Sequence, residues 1–438
     1  MIRRLTLTLL FIAVLRSGTL GSEHELGTRI EALISNHAFA TAQWGICVYS
    51  LTGDSVVFRH NDNKLFVPGS TIKLFTSAAA LDSLGSNYCF QTEFIADGTL
   101  DDSGTLWGDL VIRGSGDPTL SDIDTSSGFP VVLQGIAHSL RQRGLRQVRG
   151  HVVGDARAWK REPICPSWEV GDLGEEWMPV PGALSIGHAQ PIFDTTGFVV
   201  LDAMPDSVMP LGPSPTPGFL SAFGGALKHA GITVIGNEYA PSHTGNITRL
   251  FVYSSPPLLQ IISTLNKESN NFYAEQLCRV LGNGSWREGV QTVGRLLAKA
   301  GIDTSRIRFA DGSGLSRKNL VTPEVVVQLL RYMHRHAFSD EFENSLAVMG
   351  EDGTLAERPF DVPRAEVRAK TGTLAHASAL SGYVITDEGK EFAFSILCNG
   401  FLVPVEAVHQ VQDSICSLIA MNAEALSNSG RVKNPARR

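Results

Sequence analysis

Residues 67–75 read VPGSTIKLF and set a serine, Ser70, three positions ahead of a lysine, Lys73. A serine hydroxyl attacks an acyl carbon only when a base stands within hydrogen-bond reach. In a helix, position i+3 lies one turn along the same face, so Lys73 can supply that base. A lysine with an ordinary pKa of about 10.4 is a poor base near neutrality. Burial in an apolar helix and repulsion from a second lysine would both lower it. Pro68 and Gly69 bring Ser70 to the helix start, where backbone N–H groups are free. The same pair also reads as a helix cap beside a surface lysine.

Further patterns decide between the two. Ser269-Asn270-Asn271 is the only S-x-N in the chain, and Lys370-Thr371-Gly372-Thr373 holds its only K-T-G. Ser269 and Asn271 carry a hydroxyl and an amide suited to relaying a proton and orienting a substrate amide, although both residue types also cap helices. Lys370 offers a positive charge and Thr371 a hydroxyl to a substrate carboxylate. Gly372 lets a substrate backbone lie close to its strand. The plainer reading of Lys370 is an edge strand guarded by lysine.

These residues need elements to hold them. WGICVYSLTGDSVVFRHND reads as two strands, 44–50 and 55–59, around a T-G-D turn, and residues 70–85 as a helix apolar nearly all round and therefore buried. The hairpin pattern of 92–113 turns at D-D-S-G, and a helix-then-strand order follows twice, at 131–155 and 219–239. Helices return after 256, one of them opened by Thr322-Pro323. Three runs with tight turns, AEVRAKTGTL, SALSGYVITD and EFAFSILCNGF, read as consecutive antiparallel strands. Two early strands and three late ones predict an α/β sandwich, an antiparallel sheet with helices, built from both ends of the chain. The expected boundaries are 22–87 and 254–424 for its two parts, 88–253 for an inserted region and 425–438 for a disordered basic tail.

With 438 residues, 43% hydrophobic and 18% charged, the chain is long enough for more than one core. Its net charge of −7 offers no basic field for nucleic acid or anionic lipid. Arg3 and Arg4 precede an apolar run, Leu5 to Leu15, and small residues around Gly18 and Gly21. That is the layout of a secretory signal over 1–21, too short in its apolar part to span a bilayer, so the mature chain is expected outside the cytoplasm without an integral span. Six widely spaced cysteines form no C-x-x-C pair. Export would permit disulfides, and buried thiols are the alternative. There is no H-E-x-x-H for a zinc peptidase, and His334 and His336, two apart on a helix, point to different faces.

The order S-x-x-K, S-x-N, K-T-G is that of serine penicillin-binding proteins and class A β-lactamases. With PGSTIKLFTSAAAL, GDLVIRGSGDPTL, ESNNFYAEQL, DGSGLSR, GEDGTLAER and RAKTGTL, also in order, the chain resembles the class C low-molecular-mass penicillin-binding proteins, the D-alanyl-D-alanine carboxypeptidases/endopeptidases. Their long insertion between the first two motifs is present too. EEWMPVPGALSIGHAQPIF follows their tyrosine-glycine-alanine stretch only loosely. The resemblance implies a serine β-lactamase/transpeptidase-like fold and Ser70 as acylated nucleophile with Lys73 as base. It implies Ser269 as proton relay, Asn271 on the substrate amide, and Lys370 and Thr371 on the terminal carboxylate of D-alanine. The backbone N–H groups of Ser70 and Thr373 would form an oxyanion hole worth a few kcal/mol (roughly 3) per donor. The implied substrate is the D-Ala-D-Ala end of a peptidoglycan stem peptide, or the D-Ala-linked cross-bridge, with β-lactams as inhibitors and no metal or organic cofactor. Two rivals remain: a β-lactamase or esterase on the same fold, for which Glu275, Glu288 and Glu324 are the available deacylating carboxylates, and a non-catalytic wall-binding scaffold.

Overall fold

The computed structural model describes residues 23–121, 130–160, 162, 164–172, 175, 177–186, 198–203, 215–236 and 246–429. The expected signal segment and the end of the basic tail lie outside them. The chain divides into two compact units, 1–78 with 263–270 and 293–438, and 79–262 with 271–292.

The first unit is organised by a six-stranded sheet. Strand Gln43–Ser50 is buried from Trp44 onward because it is central, pairing with Ser55–His60 on one side and Glu391–Asn399 on the other, both antiparallel. Beyond Glu391–Asn399 come Ala377–Thr386, Ala365–Leu374 and the short Ala347–Val348. Residues near both ends of the chain therefore meet in mid-sheet, with Trp44 opposite Cys398. Helices Glu23–Ile34 and Val405–Met421 and the sheet share one core, in which Leu26, Ile30, Val48, Phe394, Ile396 and Ile415 are fully enclosed. Burying each such side chain contributes about 1.5–3 kcal/mol. Helix Pro323–His334 packs on the sheet as well. It starts where the sequence places it, with Thr322 accepting from Val325 N at 3.2 Å and Pro323 at a position that needs no N–H donor. Gly45 is required by contact: a Cβ there would lie 2.2 Å from the Phe66 ring.

In the second unit, strands Gln91–Leu100 and Thr105–Arg113 form the expected hairpin, extended on one side by Ile247–Ser254 and on the other by the parallel strands Val152–Lys160 and Phe198–Ala203. The repeated helix-then-strand order produces parallel pairing, Gln147–Val148 with Thr233–Val234. Helices Val131–Gln142 and Pro215–His229 cover a core built around Phe94, Phe219 and Phe223.

The sequence boundaries shift in places. Residues from 425, expected to be disordered, are helical as far as Ser429. The helix expected from Ser70 begins as a 3-10 turn, Gly69–Ile72, and becomes α-helical at Lys73, ending at Leu84. None of the six cysteines is disulfide-bonded, and five of them are buried. Among the described residues no helix is long and apolar enough to cross a membrane.

Candidate active site

Ser70 lies in that 3-10 turn, half-buried, and Lys73 follows with no solvent exposure at all. The lysine therefore does not reach to solvent, as the plainer sequence reading would have it. Its Nζ donates to Ser70 Oγ at 2.9 Å and to the Ser313 carbonyl at 2.7 Å. The turn is forced by Gly69, whose φ of +54° suits glycine. The turn thus sets Ser70 and Lys73 on one face, and the Ser313 carbonyl holds the amine beside the hydroxyl.

The K-T-G residues lie on strand Ala365–Leu374, as expected, and against the serine turn. A Cβ on Gly372 would stand 2.4 Å from Pro68 O and 2.9 Å from Ser70 N. Only glycine permits that approach, so here the close neighbour is the nucleophile's own backbone. Lys370 is fully enclosed, and its Nζ donates to Thr371 O at 3.0 Å. Burial, and then the charge of Lys73, hold its pKa well below the ordinary lysine range. The plainer alternative, a lysine guarding an edge strand, does not describe this side chain, which is enclosed, although Ala347–Val348 flanks the strand only at Ala369 and Arg368. Thr371 Oγ1 donates to Thr354 Oγ1 at 2.8 Å.

Ser269 occupies the left-handed region, φ +58°, which strains a serine by about 1–2 kcal/mol. Such strain persists where the surroundings over-determine it, commonly at functional positions. Asn271 begins helix Asn271–Leu281 in the second unit, and its amide donates to Trp177 O at 3.1 Å. In the first unit Ser70, Ser269, Thr371 and Thr373 share a recess of about 350 Å³ with Thr354, Arg358 and His409.

Sequence reasoning assigned no role to the last three, nor to the DGSGLSR loop, read as a glycine-rich turn. The loop is a support. The Asp311 carboxylate accepts from Gly314 N at 2.8 Å, Ser316 N at 2.6 Å and Asn319 Nδ2 at 2.8 Å. Thr76 Oγ1 donates to Gly312 O at 2.7 Å. Together these fix the Ser313 carbonyl on Lys73. The signal was present in the sequence as an Asp three residues before a Gly, an Asx-type turn. Its target, 240 positions away, was not.

Of the carboxylates offered by the β-lactamase reading, Glu288 is exposed in the first turn of helix Trp286–Lys299, and the other two have partners of their own. Glu275 is enclosed and accepts from Trp286 Nε1 at 2.6 Å, and Glu324 meets Arg59 at 3.3 Å. His334 pairs with Glu343 at 2.9 Å, and His376, at φ +59°, is held to Phe401 O at 2.9 Å in the turn beyond K-T-G.

Comparison with known proteins finds a match to the model of the D-Ala-D-Ala carboxypeptidase 3 (S13) family over residues 26–208 and 195–421. A D-alanyl-D-alanine carboxypeptidase of Actinomadura sp. is 30% identical over 90% of this chain and 84% of its own length. Another, from Haemophilus influenzae, is 23% identical over 82% of this chain and 85% of its own. Among solved structures, penicillin binding protein 4 of Haemophilus influenzae superposes with a TM-score of 0.71 at 20% identity, covering 90% of this chain and 99% of that one. A penicillin G-acylated predatory endopeptidase from Bdellovibrio bacteriovorus gives 0.56 at 19% identity, with 87% and 93% covered.

Proposed function

The chain belongs to the D-Ala-D-Ala carboxypeptidase 3 (S13) family, and from that membership we propose how its own residues carry the reaction of a serine D-Ala-D-Ala carboxypeptidase. The observation that carries the proposal is the 2.9 Å hydrogen bond between Ser70 Oγ and the enclosed amine of Lys73. As Ser70 Oγ bonds to the carbonyl carbon of the penultimate D-alanine, its proton passes to Lys73 Nζ. Burial and the mutual repulsion of two ammonium groups disfavour a doubly protonated Lys73–Lys370 pair, so the pair rests with one amine neutral and able to act as the base. The oxyanion rests on the backbone N–H groups of Ser70 and Thr373.

The tetrahedral carbon then expels the terminal D-alanine: the C–N bond breaks, and the proton held by Lys73 reaches the departing nitrogen through Ser269. Asn271 orients the substrate amide. Thr371 and Thr373, backed by Gly372 and Lys370, hold the terminal carboxylate. Water attacks the resulting ester, the acyl group leaves as a free acid, and Ser70 regains its proton. A D-Ala-linked cross-bridge presents the same bond, so DD-endopeptidase activity uses the same groups. No metal or organic cofactor enters any step.

A β-lactam offers a strained amide to the same serine but keeps its leaving nitrogen tethered, which slows deacylation. Peptidoglycan stem peptides place the work outside the cytoplasm, consistent with the signal-like residues 1–21.

Incubation with benzylpenicillin followed by intact-mass spectrometry and peptide mapping tests this reading. A stable adduct on Ser70, lost in Ser70→Ala, is expected. Rapid drug hydrolysis without accumulation would make the protein a β-lactamase. Folded protein with neither outcome would be a scaffold.

A further inference from the structure

Three residues of the recess have no part in the steps above: Thr354, Arg358 and His409. Arg358 is 9% exposed and rigidly held. Its Nε donates to Asp413 Oδ1 at 3.0 Å, and its Nη2 donates to the same oxygen, to Gln412 Oε1 at 3.1 Å and to the His409 carbonyl at 3.3 Å. Nη1 has no partner among the described residues, and it is not among the polar atoms sealed from solvent. One edge of the guanidinium is thus fixed by helix Val405–Met421, and the other remains available in a recess that also holds the nucleophile.

The segment bearing Arg358 is anchored as firmly. Lys267 pairs with Asp352, whose other oxygen accepts from Val348 N at 2.8 Å. A Cβ on Gly353 would lie 2.4 Å from Lys267 O. Thr354 is then hydrogen-bonded to Thr371, the threonine of K-T-G. Thr371 therefore joins the serine side of the recess to the arginine side.

Lys370, by contrast, is enclosed, turned onto a backbone carbonyl and absent from the recess lining. We propose that Arg358 is the cation that recognises the carboxylate of the leaving D-amino acid, with the Thr354–Thr371 hydroxyl pair beside it and His409 as an uncharged wall. The proposal rests on the acyl-transfer reading above and names the specificity determinant of the same site. A guanidinium keeps its charge and its planar donor edge whatever the neighbouring lysines do. Charge-assisted bonds from such an edge are the strong ones. His409 fits the neutral role, since burial first, and then the Arg358 charge, lower its pKa to about 4.

The test uses two thioesters of one acylated D-alanine, with a leaving thiol that carries either a carboxylate or the matching carboxamide. The wild-type chain is expected to favour the carboxylate by about tenfold or more in kcat/KM. In Arg358→Gln that ratio should collapse to roughly twofold, and in Arg358→Lys only partly, because a lysine lacks the planar fork. Because Arg358→Gln strands the Asp413 carboxylate, the double variant Arg358→Gln/Asp413→Asn is measured too, and it should show the same collapse. Both rates falling together at a preserved ratio would mean that Arg358 only supports the fold, and would overturn the proposal. So would a wild-type chain with no preference. Benzylpenicillin labelling of Ser70, run in parallel, reports on the acyl-transfer reading independently of the ratio.

Discussion

Lys370 is costly to the protein that keeps it. A fully enclosed lysine whose pKa is held down by burial and by Lys73 binds fewer protons when folded than when unfolded. The unfolded value is about 10.4, so stability rises with pH from the folded pKa up to about that point. The contribution is unfavourable, greatest below the folded pKa, and vanishes as pH approaches the unfolded one. Lys370→Met should therefore stabilise the chain on the order of 1–3 kcal/mol at neutral pH. Its advantage over wild type should shrink toward pH ~10. The same variant should acylate with benzylpenicillin about a hundredfold more slowly. Urea unfolding of both proteins at neutral pH and two units higher checks the first part; a pH-independent gap would refute it. At this scale the sequence was informative about identity and silent about surroundings. The three motifs singled out Ser70, Lys73, Ser269, Asn271 and Lys370. That Lys370 faces inward while Arg358 lines the recess depends on which strand edge is covered, a tertiary fact with no local signal.

The elements that place these residues act through backbone approach. Strand Ala365–Leu374 comes against the serine turn only because Gly372 has no side chain, and an alanine would set Cβ 2.4 Å from Pro68 O and 2.9 Å from Ser70 N. The strand is paired over its whole length with Ala377–Thr386 and cannot retreat alone. Gly372→Ala is thus expected to displace the serine turn. Acylation should slow about a hundredfold, the scale of a misplaced reacting group, while far-UV circular dichroism stays that of a folded chain. Unchanged acylation would show that the turn gives way without loss. The DGSGLSR loop makes a complementary prediction. Asp311 is 1% exposed and gathers three N–H donors, so Asp311→Ala leaves them unsatisfied and should cost about 2–4 kcal/mol, seen as a lowered urea midpoint. The released Ser313 carbonyl should also slow acylation. Strand and helix periods were readable in the sequence at most of these elements, because alternation and Thr-Pro starts are local. The 3-10 opening of the helix was not, since S-T-I-K has no propensity that separates it from a first α-turn.

At the scale of the whole molecule, the division of the chain sets the order in which function can appear. The central strand of the first unit, Gln43–Ser50, pairs with Glu391–Asn399, and everything between must be accommodated before that pairing forms. The second unit draws on 79–262 and 271–292, so its pairings close shorter loops, such as Gln91–Leu100 with Thr105–Arg113. Loop-closure entropy grows with length, and long-range pairing is slow. The tryptophans separate the two events. Only Trp44 belongs to the first unit, whereas Trp107, Trp159, Trp168, Trp177 and Trp286 belong to the second. After dilution from urea, tryptophan fluorescence should therefore recover first, dominated by the second unit. Competence to be acylated by benzylpenicillin should follow in a later phase, because it needs the serine turn and the K-T-G strand of the first. Stopped-flow fluorescence beside timed penicillin quenching measures both. If competence returns with the fluorescence or ahead of it, the sheet shared by the two ends of the chain is assembled early, and the long insertion is no obstacle to it.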